Sequence, residues 1–277
     1  MESNLKPIFK SLGLATLLVL ACNVAGAQTI TLTNSGSKGA SVYVNDFKGG
    51  TTYSSSWTGA QWVSDGSSSF WAYCIDPKTW TKWGIANTYT AASLYDFLNT
   101  PTNYTNPAST GYQQEMNSGG YSGLGYGIQN TTTVQNSLVS LFSHAYADSL
   151  LSATNAAAFG YAVWEIIGSP SSAYARTAGA LKSSGGDANP SNGDAIEKQM
   201  DAYLTALTSG IWTNVGGANL TATTNYVYTV YYDPYVHAAQ NFIRVTTPSA
   251  PEPASLALAG VALLGMTTIS RRRAKRG

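Results

Sequence analysis

The C-terminal end of this chain constrains its fold more than any other feature. Ala254 to Ser270 is a run of seventeen residues without a charge, and Arg271, Arg272, Arg273, Lys275 and Arg276 follow it directly. At about 1.5 Å of rise per residue the run makes a helix of roughly 25 Å. That is somewhat short of a hydrocarbon core about 30 Å thick, but long Arg and Lys side chains reach the interface. The run therefore reads as a C-terminal transmembrane helix with a basic stop. Cationic flanks stay on the cytoplasmic side, which would place the body of the chain across the inner membrane.

The other end agrees. Lys6 and Lys10 precede an apolar stretch from Leu12 to Ala21, and Ala25-Gly26-Ala27 supplies the small residues a signal peptidase needs. Residues 1–27 read as a signal peptide cleaved before Gln28. Val19-Leu20-Ala21-Cys22 offers a second reading, in which Cys22 is lipidated. Residues 28–247 are left to fold as one extracellular domain, and residues 248–277 form the sorting and anchor segment. Pro251-Glu252-Pro253, the helix and the arginines stand in that order. The arrangement resembles the PEP-CTERM sorting signal of Gram-negative bacteria. The resemblance implies an exosortase as partner, a transient inner-membrane anchor, and an exported surface or matrix protein often made together with exopolysaccharide.

Composition narrows the partners. Between Gln28 and Ala250 there are eight Lys and Arg against twelve Asp and Glu, a net charge of −4, whereas the whole chain is formally +1. No basic patch remains to argue for nucleic acid. Charged residues are 10% of the chain, against about 25% in ordinary globular domains. Ser, Thr, Asn, Gly and Tyr take their place, a mixture suited to contacts with polymers. With Cys22 in the leader, Cys74 is the one thiol of residues 28–277, so no intrachain disulfide can form there.

The hydrophobic pattern predicts an α+β domain, with antiparallel strands at both ends and helices in the middle. Ile30 and Leu32 mark one short strand, Val42 and Val44 another, with a turn over Ser35 to Gly39 between them. Phe70 to Ile75 reads as a strand and Ala91 to Leu98 as a short helix. Thr100 to Asn130 reads as a long surface loop. Apolar residues recur at three and four over Thr133–Asp148, Ala156–Ile167 and Asp194–Leu207, the signature of amphipathic helices. Tyr226–Tyr232 and Gln240–Thr246 return to strand character.

Two segments carry a second resemblance. Phe70-Trp71-Ala72-Tyr73-Cys74-Ile75-Asp76 and Phe159-Gly160-Tyr161-Ala162-Val163-Trp164-Glu165-Ile166 are similar to the two motifs of bacterial thioester domains. The resemblance implies a thioester-domain-like fold with Cys74 as candidate reactive thiol, joined to a Gln side chain and opened by a surface amine. This sequence departs from the family where the Gln stands, because that position is Gly160. Gln135 and Gln240 are the stand-ins considered, and nothing in the sequence separates them. Close approach of the Cys74 strand would account for a glycine at 160.

Enzymatic readings find little support in the pattern. A cysteine hydrolase needs a His beside its thiol. His144 sits at helical spacing and reads as structural, and His237 reads as a turn residue. Asp76, Asp96, Glu115 and Glu165 could pair for glycoside hydrolysis, but no spacing favours them. Two His and one Cys offer no metal-ligand cluster, and no cofactor motif is present. The chain is thus expected to be a non-enzymatic surface or matrix protein in adhesion or in biofilm and exopolysaccharide structure. The alternatives are a covalent binder acting through Cys74 and an extracellular polysaccharide hydrolase.

Overall fold

One long strand organises the fold. In the computed structural model, which describes residues 28–45, 53–75, 81, 83–99, 131–168, 174–178, 181–187, 193–233 and 239–247, strand β1 runs from Gln28 to Asn45. The turn expected over Ser35 to Gly39 is not formed. The chain passes through that segment with only a register irregularity between Asn34 and Gly36. Two glycines make this possible. A Cβ at Gly36 would lie 3.2 Å from the Cβ of Trp62, and one at Gly39 would lie 2.2 Å from the Thr58 carbonyl oxygen. Residues that resemble a turn in composition here let two strands approach closely.

The first part of β1, Gln28 to Thr33, pairs with β4 (Ala86–Ser93), and the part from Thr33 to Asn45 pairs with β2 (Tyr53–Ser64). With β3 (Ser69–Cys74), β5 (Val227–Tyr232) and β6 (Phe242–Thr246) they close a barrel in the order β1-β2-β3-β6-β5-β4. Each of these pairings is antiparallel. Closure pairs the strands around the ring and removes the exposed edge of an open sheet. Strands β2 and β4 are additions to the elements expected from sequence.

The helices are α1 (Leu94–Asn99), α2 (Thr131–Ser149), α3 (Ala153–Gly168) and α4 (Ala195–Ser209). The segment expected as one helix from Ala91 is divided, since residues 91–93 still belong to β4. Asp194 caps α4, accepting from the backbone N–H groups of Ile196 and Glu197, while Glu197 reaches back to the N–H of Asp194. Gly210 closes the helix in a left-handed conformation, φ +72°.

Helix α3 is the centre of the molecule. All of its residues from Ala156 to Gly168 are buried, as expected of a helix apolar on every side. It packs on β1, β2 and β3 and is flanked by α2 and α4. Strand alternation then gives two cores. Phe70 and Ala72 turn into the barrel with Leu32, Val63, Tyr89, Tyr231 and Phe242. Tyr73, of the opposite phase, turns to the helices with Val42, Val44, Ala60 and Phe159.

Among the described residues no helix is long and apolar enough to cross a membrane. The leader, the expected transmembrane helix over 254–270, Pro251, Glu252, Pro253 and the basic residues from Arg271 to Arg276 lie outside the described residues. So do the loop expected over 100–130, Asp76, Glu115 and His237.

Candidate functional site

Cys74 is the last residue of β3, pairs with Phe242 of β6 and is 4% exposed. The next residue, Ile75, donates its backbone N–H to the Asn241 carbonyl at 3.1 Å. Cys74 therefore sits where the barrel wall meets the chain leading into β6. The phenol of Tyr89, inside the barrel, is held above the ordinary tyrosine range, first by burial and then by the charges that Asp233 and Cys74 would carry. The thiol is thus enclosed in the core of the fold.

Gly160 lies elsewhere. A Cβ built on it would stand 2.3 Å from Thr58 Oγ1, 2.9 Å from the Gly59 backbone nitrogen and 3.3 Å from the Gly59 Cα. Its close neighbour is β2, which corrects the expectation that the Cys74 strand explains the glycine. Gly59 itself has φ +144° and faces Gly39 across the β1–β2 ladder. Gly39, Gly59 and Gly160 together let α3 rest on the backbone of the sheet. The Thr58 hydroxyl is buried there and has no hydrogen-bond partner among the described residues. The contact between α3 and β3 is made by the preceding residue, Phe159, whose ring centroid is 4.5 Å from that of Tyr73.

A glutamine at position 160 would therefore begin inside Thr58, and the described backbone has no room for it. Of the two stand-ins, Gln135 is half-buried on α2. Gln240 is buried, and the Thr81 hydroxyl donates to its carboxamide oxygen. It stands two residues from Phe242, the partner of Cys74.

Of the acidic candidates, Asp96 and Glu165 lie among the described residues, each in its own surroundings. Asp96 lies in the first turn of α1, where it accepts from the Ser93 hydroxyl at 2.7 Å and its N–H donates back to Ser93 Oγ at 3.0 Å. Glu165, on α3, is 1% exposed. Burial raises its carboxyl from the ordinary 4.5 to about 8, against the opposing effect of hydrogen bonds from the Ala175 N–H and the Tyr161 hydroxyl. The Tyr161 oxygen is 3.4 Å from Glu165 Oε2 and within 3.5 Å of the Arg176 and Leu181 carbonyls. Glu165 thus ties residues 174–181 to α3. One step further out, Arg176 Nη1 donates to Glu197 Oε1 and to the Ser183 carbonyl, each at 2.9 Å, and its Nε and Nη2 donate to Asp201. A buried carboxyl that burial raises to about 8 and that accepts from the Ala175 N–H acts as a structural fastening among the described residues.

His144 donates through Nδ1 to the Ser140 carbonyl at 2.9 Å and stacks on Trp212 with centroids 4.6 Å apart and planes 5° from parallel. It is built into α2, as its spacing suggested. Among the described residues no group of three or more His, Cys, Asp or Glu side chains could hold a metal ion. A groove of about 440 Å³ between α2 and residues 222–228 was not anticipated. Its walls come from segments more than seventy residues apart in sequence, and neither segment carries a recognisable motif.

Comparison with known families places the PEP-CTERM protein-sorting motif on residues 249–274. The match contains Pro251, Glu252, Pro253, Arg271, Arg272 and Arg273, stops before Lys275 and Arg276, and supports an exported substrate of exosortase. No curated protein and no solved structure matches the chain.

Proposed function

We propose that this chain is a non-enzymatic surface or matrix protein, delivered outside the cell through exosortase sorting and acting in adhesion or in biofilm and exopolysaccharide structure. The observation that carries the reading is the sorting motif on residues 249–274. Two further features support it. The region between Gln28 and Ala250 is poor in charge and rich in hydroxyl, amide and phenol groups, which suits contact with hydrated polymers. Glu165 and Cys74, an acid and a thiol of the kind an enzyme would use, are buried as a fastening and a core residue.

The test replaces Pro251, Glu252 and Pro253 together by alanine and follows the protein by cell fractionation. The variant is expected to accumulate in the inner membrane while the parent chain leaves it. Arrival of the variant at the surface at the parent's rate would refute the sorting assignment.

A further inference from the structure

The groove between α2 and residues 222–228 is mostly apolar in surface and set with a few polar groups. Its volume, about 440 Å³, lies within the range of about 300–1,000 Å³ typical of small-ligand sites. Asn136, Ser140, His144, Thr224, Asn225 and Tyr226 line it, and none of the described residues that line it is Asp, Glu, Lys or Arg. The walls are held from behind. The Thr223 N–H donates to the Ser143 carbonyl at 2.8 Å, fixing the outer segment to the helix. The Tyr228 hydroxyl lies 3.3 Å from the Val139 carbonyl, and the rings of Tyr226 and Tyr228 stand edge to face at 6.4 Å. Asn225 holds φ +74°, a left-handed conformation that Asn adopts more readily than most side chains. His144 is oriented by Trp212 and by its Nδ1 donation to Ser140, so Nε2 is the acceptor its neutral ring can offer.

We infer that this groove binds an uncharged glycan chain. Sugar rings present hydroxyl groups at their edges and apolar C–H faces above and below. The groove offers amide, hydroxyl and imidazole groups for the edges and a mostly apolar surface, to which Tyr226 and Tyr228 contribute, for the faces. An uncharged wall gives an acidic or basic polymer no ion pair to compensate the loss of its hydration, so charge complementarity favours a neutral ligand. The inference rests on the reading of the chain as an exported matrix protein and names the partner of that role.

The test uses the full-length chain, solubilised in a detergent without a sugar headgroup, and titration calorimetry. The probes are cellohexaose, maltohexaose and laminarihexaose, with hexagalacturonate and a Gly/Ser peptide as competitors. At least one neutral hexasaccharide is expected to bind, and neither competitor is expected to bind as tightly. Asn136→Ala combined with Thr224→Ala alters exposed groove side chains and should weaken that binding about tenfold or more at an unchanged melting temperature. Lys198→Ala, in a separate groove on α4, should leave it unaltered. Binding of none of the three neutral probes, tighter binding of either competitor, or equal affinity in the double variant would overturn the inference. Export is scored separately by fractionation, so a protein that is exported normally but binds none of them sinks the glycan site and leaves the sorting role standing.

Discussion

Replacing Glu165 by glutamine should make this protein less sensitive to a rise in pH between about 4.5 and 8. The Glu165 carboxyl is raised by burial from 4.5 to about 8 in the folded state. The folded protein therefore binds a proton that the unfolded chain releases at about pH 4.5. By linkage, stability falls as pH rises through the interval from about 4.5 to about 8, and this group has no further effect above it. At about 1.36 kcal/mol for each pH unit of that interval, the full cost is about 5 kcal/mol. That is comparable with the whole stability of many domains. The carboxamide of Glu165→Gln would keep an oxygen to accept the Ala175 N–H, and its nitrogen could donate to the Tyr161 oxygen or to the neighbouring Arg176 and Leu181 carbonyls. It cannot ionise. Urea titrations of both proteins at several pH values between 5 and 9 give the difference directly, since the other titrating groups cancel. The variant should gain on the parent progressively across the interval, by several kcal/mol above pH 8. A difference independent of pH, or one that shrinks as pH rises, would show that Glu165 does not carry the burial cost assigned to it.

Gly160→Ala should destabilise the fold by about 1–3 kcal/mol, the range for overpacking, because its Cβ meets Thr58 Oγ1 at 2.3 Å. Adding Thr58→Ala should restore part of that loss, with the Gly59 contact remaining, and additive effects in the double variant would contradict the close approach. Intact mass of the exported protein should fit its processed sequence without an internal thioester, with Cys74 titrating as a thiol once denatured; a deficit of one ammonia together with loss of that thiol would instead indicate a thioester.

The sequence was most readable where one element satisfies one environment. Helices α2 and α4 each set an apolar stripe against the core, and the helix expected from Asp194 begins there, with Asp194 as its cap. Strand β2 had no such clarity. Trp57 and Trp62 stand five residues apart, so a strand must send them to opposite faces, and the serines before Trp57 carry no apolar rhythm. In β1, the glycines at 36 and 39 looked like turn residues because loops and close strand contacts both select glycine. What separates the two is the partner strand, and that partner, β2, was itself the illegible element. The same gap hid the reason for Gly160. The departure from the thioester motif was visible in sequence, but its neighbour Thr58 belongs to the strand that had not been recognised.

The geometry around Gly160 bears on the covalent reading more strongly than the missing side chain alone. A glutamine placed at 160 would need space that the fold does not offer, since α3 lies directly on Thr58 and Gly59 and Gly39 gives way on the facing strand. The three glycines and the buried hydroxyl form one packing arrangement, and reversing it would require changes in three elements. Cys74, meanwhile, is enclosed at the barrel wall, where an incoming amine would have to displace packed side chains to reach it. Chemistry at that sulfur would need both a carboxamide from another part of the chain and an opening of the barrel end. Recognition through the uncharged groove beside α2 needs neither, and that is the physical reason for preferring a reversible binder of polymers to a covalent one.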